Sequence, residues 1–231
     1  WSVGSDYFSW ISLFVIFTFF LGIFLGKFFG VHHRITFLLS AGAAICGATA
    51  IAAVAPIIKA KPQEVLISIT IIFLLNALAI ILFPIVGNIL NMNNYQFGAW
   101  SALSIHDTSS VMGAALSYSD ESAQVAATLK LGRTLWIIPL LLISAWFFNS
   151  ESKKINFPKF IIFFLLAILM NTFLVFDDNL ILTLKNISQY LLLIGLFCIG
   201  TQSNITDLKK LNIRPIILAT CLWLVVIPLS Y

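Results

Sequence analysis

Charge is what this sequence has least of. Asp, Glu, Lys and Arg together make up 10% of its 231 residues, where a soluble domain carries about 25%. That deficit excludes an ordinary water-soluble enzyme. Cysteine is sparse as well: Cys46, Cys198 and Cys221 all fall inside apolar segments and show no metal-ligand spacing. Free, buried thiols are expected, with no disulfide, no zinc site and no other metal. The basic residues give a formal net charge of +4 but sit in short connectors. Nucleic-acid binding needs a dense basic face, so it is excluded too. No signal peptide is visible.

What is there is apolar side chain. Hydrophobic residues make up 60% of the chain, Phe alone numbers 21, and the mean hydropathy is +1.02. About 20 apolar residues span the hydrocarbon core. That rule predicts about eight membrane segments, over residues 7–29, 35–60, 65–90, 97–118, 123–148, 160–176, 187–204 and 214–231. The expected class is all-α, a polytopic membrane protein. His32 and His33 are expected at the interface, and Asn76 in an interhelical hydrogen bond. Residues 35–60 contain Gly42, Gly47 and Pro56. Two readings stay open there: tight packing through small residues, or a discontinuous helix whose half-helix ends face a substrate.

Within this greasy background, residues 98–133 stand out. They carry His106, Asp107, Thr108, Ser109 and Ser110 in one polar run, then Lys130 and Arg133. An ionisable group at membrane depth costs roughly 2.5–3.5 kcal/mol on insertion scales, and it marks transport, a proton relay or pairing. A turn centred on Asp120 makes the flanking helices antiparallel. Asp107 and Arg133 each lie on the order of 20 Å from that turn at 1.5 Å per residue, with His106 and Lys130 at similar depth. Lys130 and Arg133, three apart, share a helix face. One reading is a structural ion pair of Asp107 with Arg133 or Lys130. The other leaves positive charge for an anionic substrate, since Arg suits forked hydrogen bonding to oxyanions.

A shift of 153 residues lays Gly47 on Gly200, Lys61 on Arg214 and Pro62 on Pro215. Weak internal symmetry with two interrupted segments in matching positions points to an inverted-repeat transporter with its site between the interrupted helices. On this reading residues 1–96 are the later part of a first repeat and residues 97–231 a second, in one membrane domain. The repeat predicts two further helices upstream of Trp1, roughly 55 residues or more, for ten in all. Counting alternate connectors places Lys27, Arg34, Lys153, Lys154, Lys159, Lys209, Lys210 and Arg214 on one side. Lys59, Lys61 and Lys185 fall on the other. The first side is expected to be cytoplasmic.

Residues 42–61 (GAAICGATAIAAVAPIIKAK), 105–111 (IHDTSSV) and 130–133 (KLGR) resemble the YeiH-like sulfate exporter family of bacterial inner-membrane proteins. The resemblance covers nearly the whole chain, and the first of these segments is the most specific. That family is similar in architecture to bile-acid/sodium symporters, with two inverted five-helix repeats and broken helices crossing near the midplane. The resemblance implies outward secondary transport of sulfate or sulfite. The family usually has Glu after the histidine and a more apolar continuation. Here Asp107, Thr108, Ser109 and Ser110 stand instead, which bears on substrate identity.

The expected function is therefore secondary transport of a small anion, not catalysis. Gly47, Thr49, Gly200, Thr201 and Gln202 would lie at the two helix breaks, where exposed amides attract anions. Lys130 and Arg133 would complement the charge. His106 and Asp107 would couple transport to protons, with sodium an alternative and no other cofactor. An intramembrane enzyme is disfavoured, because adjacent helical residues point about 100° apart. A transporter of another small organic anion, or a membrane scaffold or sensor, remains the alternative. Membrane lipid is the expected surround, and homo-oligomerisation is left open.

Overall fold

The structure is a computed structural model that describes residues 2–148 and 213–230, with scattered positions between 163 and 194. Every regular element among the described residues is a helix: α1 (Ser2–Phe28), α2 (His33–Ala44), α3 (Ala48–Val54), α4 (Pro62–Ile89), α5 (Asn94–Ser104), α6 (Thr108–Tyr118), α7 (Asp120–Thr134), α8 (Ile137–Phe148) and α9 (Arg214–Leu229). Among the described residues, three stretches are long and apolar enough to cross a bilayer: Ser9–Phe28, Pro62–Ile89 and Asp120–Phe148. The last joins α7 to α8 through a turn at Leu135 and Trp136.

Residues 35–60 do not cross. Helix α2 ends at Ala44, the chain turns through Ile45, Cys46 and Gly47, and α3 folds back. A Cβ on Gly42 would meet Ile51 Cδ1 at 3.0 Å, so the two legs lie against each other. Their outer ends return to one place: His32 Nδ1 lies 3.1 Å from Glu64 Oε1, and Arg34 Nη1 4.0 Å from Glu64 Oε2. The twelve residues of α2 extend only about 18 Å at 1.5 Å each, some half of a bilayer. This is a re-entrant hairpin, tolerable at membrane depth because its turn is buried in protein.

Residues 97–118, expected as one span, form a second hairpin. Helix α5 ends at Ser104 and α6 begins at Thr108. Phe97 near the start of α5 stacks on Tyr118 at the end of α6, with ring centroids 3.9 Å apart. Tyr118 also donates to Met92 O, and Asn94 Nδ2 donates to Glu121 Oε2 at 2.8 Å. The second hairpin enters from the other end of the bundle. Between the two, α4 runs the full length: its Glu64 sits with the mouth of the first hairpin, and its Gly87 packs on Phe97 and Tyr118 of the second.

Local sequence explains where the helices start. Asn93 and Gln96 form a reciprocal capping box on α5. Pro62 occupies the first turn of α4, and Glu64 accepts from Lys61 N at 2.7 Å. Ser119 caps α7, whose first turn carries Asp120 and Glu121 and whose last carries Arg133, all in the sense the helix dipole favours. Helix α1 lies antiparallel on α2 through Gly22 and Gly26, where a Cβ would run into the side chains of Ser40 and Thr36. Phe83 of α4 stacks between Trp100 of α5 at 4.1 Å and Trp223 of α9 at 6.2 Å. Trp10, Phe20, Phe24, Leu74, Leu78 and Ile81 point outward.

The hairpins correct the assignment of connectors to sides. Lys59 and Lys61 lie at the same end as Lys27 and Arg34, because the first hairpin returns its chain to where it entered. Arg214 Nη1 is 3.3 Å from the position of a Cβ on Gly30, at this same end. The interrupted segment around Gly200 lies outside the described residues, and of the 153-residue repeat only the Lys61–Pro62 and Arg214–Pro215 helix starts fall within them.

Candidate functional site: the meeting point of two hairpin tips

The two tips touch. Gly47 has φ +66°, ψ −127°, and a Cβ there would sit 3.3 Å from the N, Cα and Cβ of Asp107. That backbone region belongs to glycine, and the close approach also needs the missing side chain. Around the contact are the middle of α4, through Asn76, and the end of α7, through Lys130 and Arg133. The depth matching expected of His106, Asp107, Lys130 and Arg133 is realised, and these four come together with Gly47 at one place.

Lys130 and Arg133 are both 0% exposed. Arg133 Nε donates to Ala44 O at 2.7 Å and Nη2 to Ala43 O, both at the inner end of α2. Its Nη1 donates to Leu103 O at 2.6 Å and Ala102 O at 3.2 Å, at the inner end of α5. Lys130 Nζ donates to Ile105 O at 2.7 Å and Ala102 O at 3.4 Å. The last carbonyls of a helix lack intrahelical partners and carry the negative end of its dipole. Two hairpins bring two such ends to mid-depth, and one basic pair meets both. Phe14 lies under the guanidinium, 5.5 Å from Cζ to the ring centroid.

Asp107 pairs with neither cation. Its Oδ2 accepts from Ser109 N at 3.1 Å and Ser110 N at 3.3 Å, so it caps α6. Glu64 meets His32 and Arg34 far from the tips. The tip region therefore holds two basic side chains and one acidic side chain, each hydrogen-bonded to backbone and none paired with another. Asp107 is half-buried and Thr49, Thr108 and Ser109 are exposed, so one side of the tips is open. Gly47, the N-cap of α3, supplies no side-chain cap.

His106 is 1% exposed, and neither ring nitrogen has a hydrogen-bond partner. Its backbone N–H donates to Asn76 Oδ1 at 3.2 Å. Asn76 is 2% exposed and its Nδ2 is likewise without a partner. Asn76 thus bonds across to another segment as expected, but its partner is the backbone of His106 in the α5–α6 break and not a second helix, an association not legible in the sequence. The α5–α6 break did leave a signal, an Asp followed by Thr and Ser at the head of an apolar run, which is an N-cap signature. Gly200, Thr201 and Gln202 lie outside the described residues. No group of three His, Cys, Asp or Glu able to hold a metal occurs among the described residues. A cavity of about 420 Å³ opens beside the tips, lined by apolar residues of α1, α5, α7 and α9 and by Ser230.

The family described as conserved hypothetical protein 698 matches residues 1–219. A UPF0324 membrane protein of Bacteroides thetaiotaomicron is 39% identical over 225 residues, which cover 96% of this chain and 68% of that protein. One from Shewanella oneidensis is 41% identical over 212 residues, 92% of this chain and 67% of the relative. One from Vibrio parahaemolyticus is 39% identical over 230 residues, 97% and 74%. The chain spans about two thirds of the length of the first two. No solved structure matches. With the family matching almost end to end and relatives this similar named as membrane proteins, the chain belongs to the conserved hypothetical protein 698 family, and it is an integral membrane protein.

Proposed function

We propose that this protein is a secondary transporter carrying a small sulfur oxyanion, sulfate or sulfite, outward across the bacterial inner membrane. One observation carries the reading. Two half-depth hairpins from opposite ends meet beside two buried cations, and among the described residues no carboxylate lies within 4 Å of either cation. Interrupted helices that meet at mid-depth are how transporters expose helix ends to a solute. A buried excess of positive charge favours an anion.

In this reading Lys130 and Arg133 act through their charge and hold the tips, since most of their N–H groups already serve carbonyls. Gly47 and Thr49 border the open side. Gly200, Thr201 and Gln202 would be the counterpart in a second interrupted segment of a ten-helix inverted repeat. His106 and Asp107 couple the cycle to protons. Sodium is disfavoured as the coupling ion at these tips, because the carbonyls that would coordinate it accept from Lys130 and Arg133 instead.

The same clasp favours a second reading, a non-transporting scaffold whose cations only fasten helices. Liposomes separate the two. Uptake of radiolabelled sulfate or sulfite by vesicles containing the purified protein is expected to saturate and to respond to an imposed pH gradient. A folded protein that moves neither anion would remove the sulfur-oxyanion assignment and leave the scaffold standing.

A further inference from the structure

We propose that each dianionic oxyanion binds together with one proton, shared between the His106 imidazole and the anion, with the Asn76 side-chain amide as the accompanying donor. The inference deepens the transport reading and rests on it. Two independent features of the tips lead to it.

The first is hydrogen-bond capacity. A buried polar group without a partner costs about 1–3 kcal/mol, and here three such atoms fall on two neighbouring residues: His106 Nδ1, His106 Nε2 and Asn76 Nδ2. The residues are joined by the bond from His106 N to Asn76 Oδ1, so their free atoms belong to one locale directly behind the N-terminus of α6. An amide NH₂ offers two donors, and a neutral imidazole offers one donor and one acceptor. A bare dianion can accept from the donors but has nothing to give the imidazole's acceptor nitrogen. An oxyanion carrying one proton answers both kinds of atom. Moving that proton onto the imidazole gives the dianion beside an imidazolium, which has the same total composition and again leaves no ring nitrogen unmet.

The second is charge. The basic groups that face His106 are Lys130 and Arg133 from α7; Asp107 follows it in the chain at the head of α6, and Cys46 of the first tip lies against Lys130, Arg133 and Asp107. From α4 the facing polar group is Asn76, which does not ionise. With Lys130 and Arg133 protonated and Asp107 ionised, the tips carry a single positive charge. A monoanion neutralises it, and so does a dianion that arrives with one proton. A dianion alone would leave the buried tips negative, and a desolvated uncompensated charge is costly. Both features point to one proton per dianion.

The test is binding calorimetry on the full-length protein in detergent, with sulfate as a probe that is dianionic throughout and nitrate as a permanent monoanion. Heats measured in buffers of different ionisation enthalpy give the protons taken up. About one proton is expected per sulfate and none per nitrate. Sulfate affinity should fall about tenfold per pH unit through the range where the site must gain that proton, while nitrate affinity stays flat. His106→Gln is expected to abolish the uptake. Asn76→Leu is expected to weaken both anions and keep the proton count. Sulfate binding without proton uptake, or uptake that survives His106→Gln, overturns the proposal and leaves the transport reading intact. Binding indifferent to both substitutions means that the pair faces only water, and it too overturns the proposal. A folded protein that binds neither anion removes the transport reading itself, and this inference with it.

Discussion

A guanidinium taken out of water costs several kcal/mol unless its donors are met, and Arg133 meets that cost with four hydrogen bonds to carbonyls on two different helices. The planar fork matters as much as the charge, because donors must point to α2 and α5 at once. Arg133→Ala leaves carbonyls at the two inner helix ends unmet and is expected to lower stability by about 1–3 kcal/mol for each one that stays buried and unsatisfied. Arg133→Lys should recover part of that loss, since an ammonium keeps the charge and loses the fork. Thermal midpoints in detergent would show the order wild type, then Lys, then Ala; a Lys variant as unstable as the Ala one would refute the role of the charge. Sequence placed Lys130 and Arg133 at one depth and on one face, and their spacing made that legible. What they bond was not legible. Backbone carbonyls are the same in every sequence, so a search by residue type offers Asp107 as the natural partner and overlooks the true acceptors.

Hairpins and spans are elements of similar length and hydropathy, which is why the two were confused. Residues 35–60 and 97–118 are apolar enough to cross, and the length rule counts residues without regard to whether the chain turns halfway. The first hairpin announced itself through Gly47, whose positive φ permits its turn. The second relied on Asp107, a capping residue that reads equally well as a buried charge. Glycine decides the packing of the first hairpin on α1. A side chain at Gly26 would collide with Thr36, whereas one at Gly113 would meet only Ile80 at 4.0 Å. Gly26→Val is therefore expected to destabilise by about 1–3 kcal/mol through overpacking. Gly113→Ala, in the interior of α6, should be neutral or stabilising by up to about 1 kcal/mol through helix propensity. Equal melting shifts for the two would mean that the α1–α2 contact does not set the stability.

Across the whole molecule, the hairpins redistribute charge between the two ends. Lys27, Arg34, Lys59 and Lys61 share one end with His32 and His33. The opposite end presents Asn91, Asn93, Asp120 and Glu121. Had both interrupted segments crossed, Lys59 and Lys61 would have faced away from Arg34 and the basic bias would have been weaker. With the hairpins, the connectors between α1 and α8 divide into a basic end and an acidic or neutral one. The basic end should therefore face the cytoplasm. The prediction is a labelling pattern in intact cells, with the three native cysteines replaced by alanine and single cysteines introduced at exposed connector positions. An impermeant thiol reagent outside is expected to reach Asp120→Cys and to miss both His33→Cys and Lys61→Cys. The decisive comparison is between the last two, because a re-entrant hairpin requires positions 33 and 61 to behave alike whichever way the protein is inserted. Labelling of one and protection of the other would mean that residues 35–60 cross after all. The contact between Gly47 and Asp107, and with it the site at the tips, would then have to be abandoned.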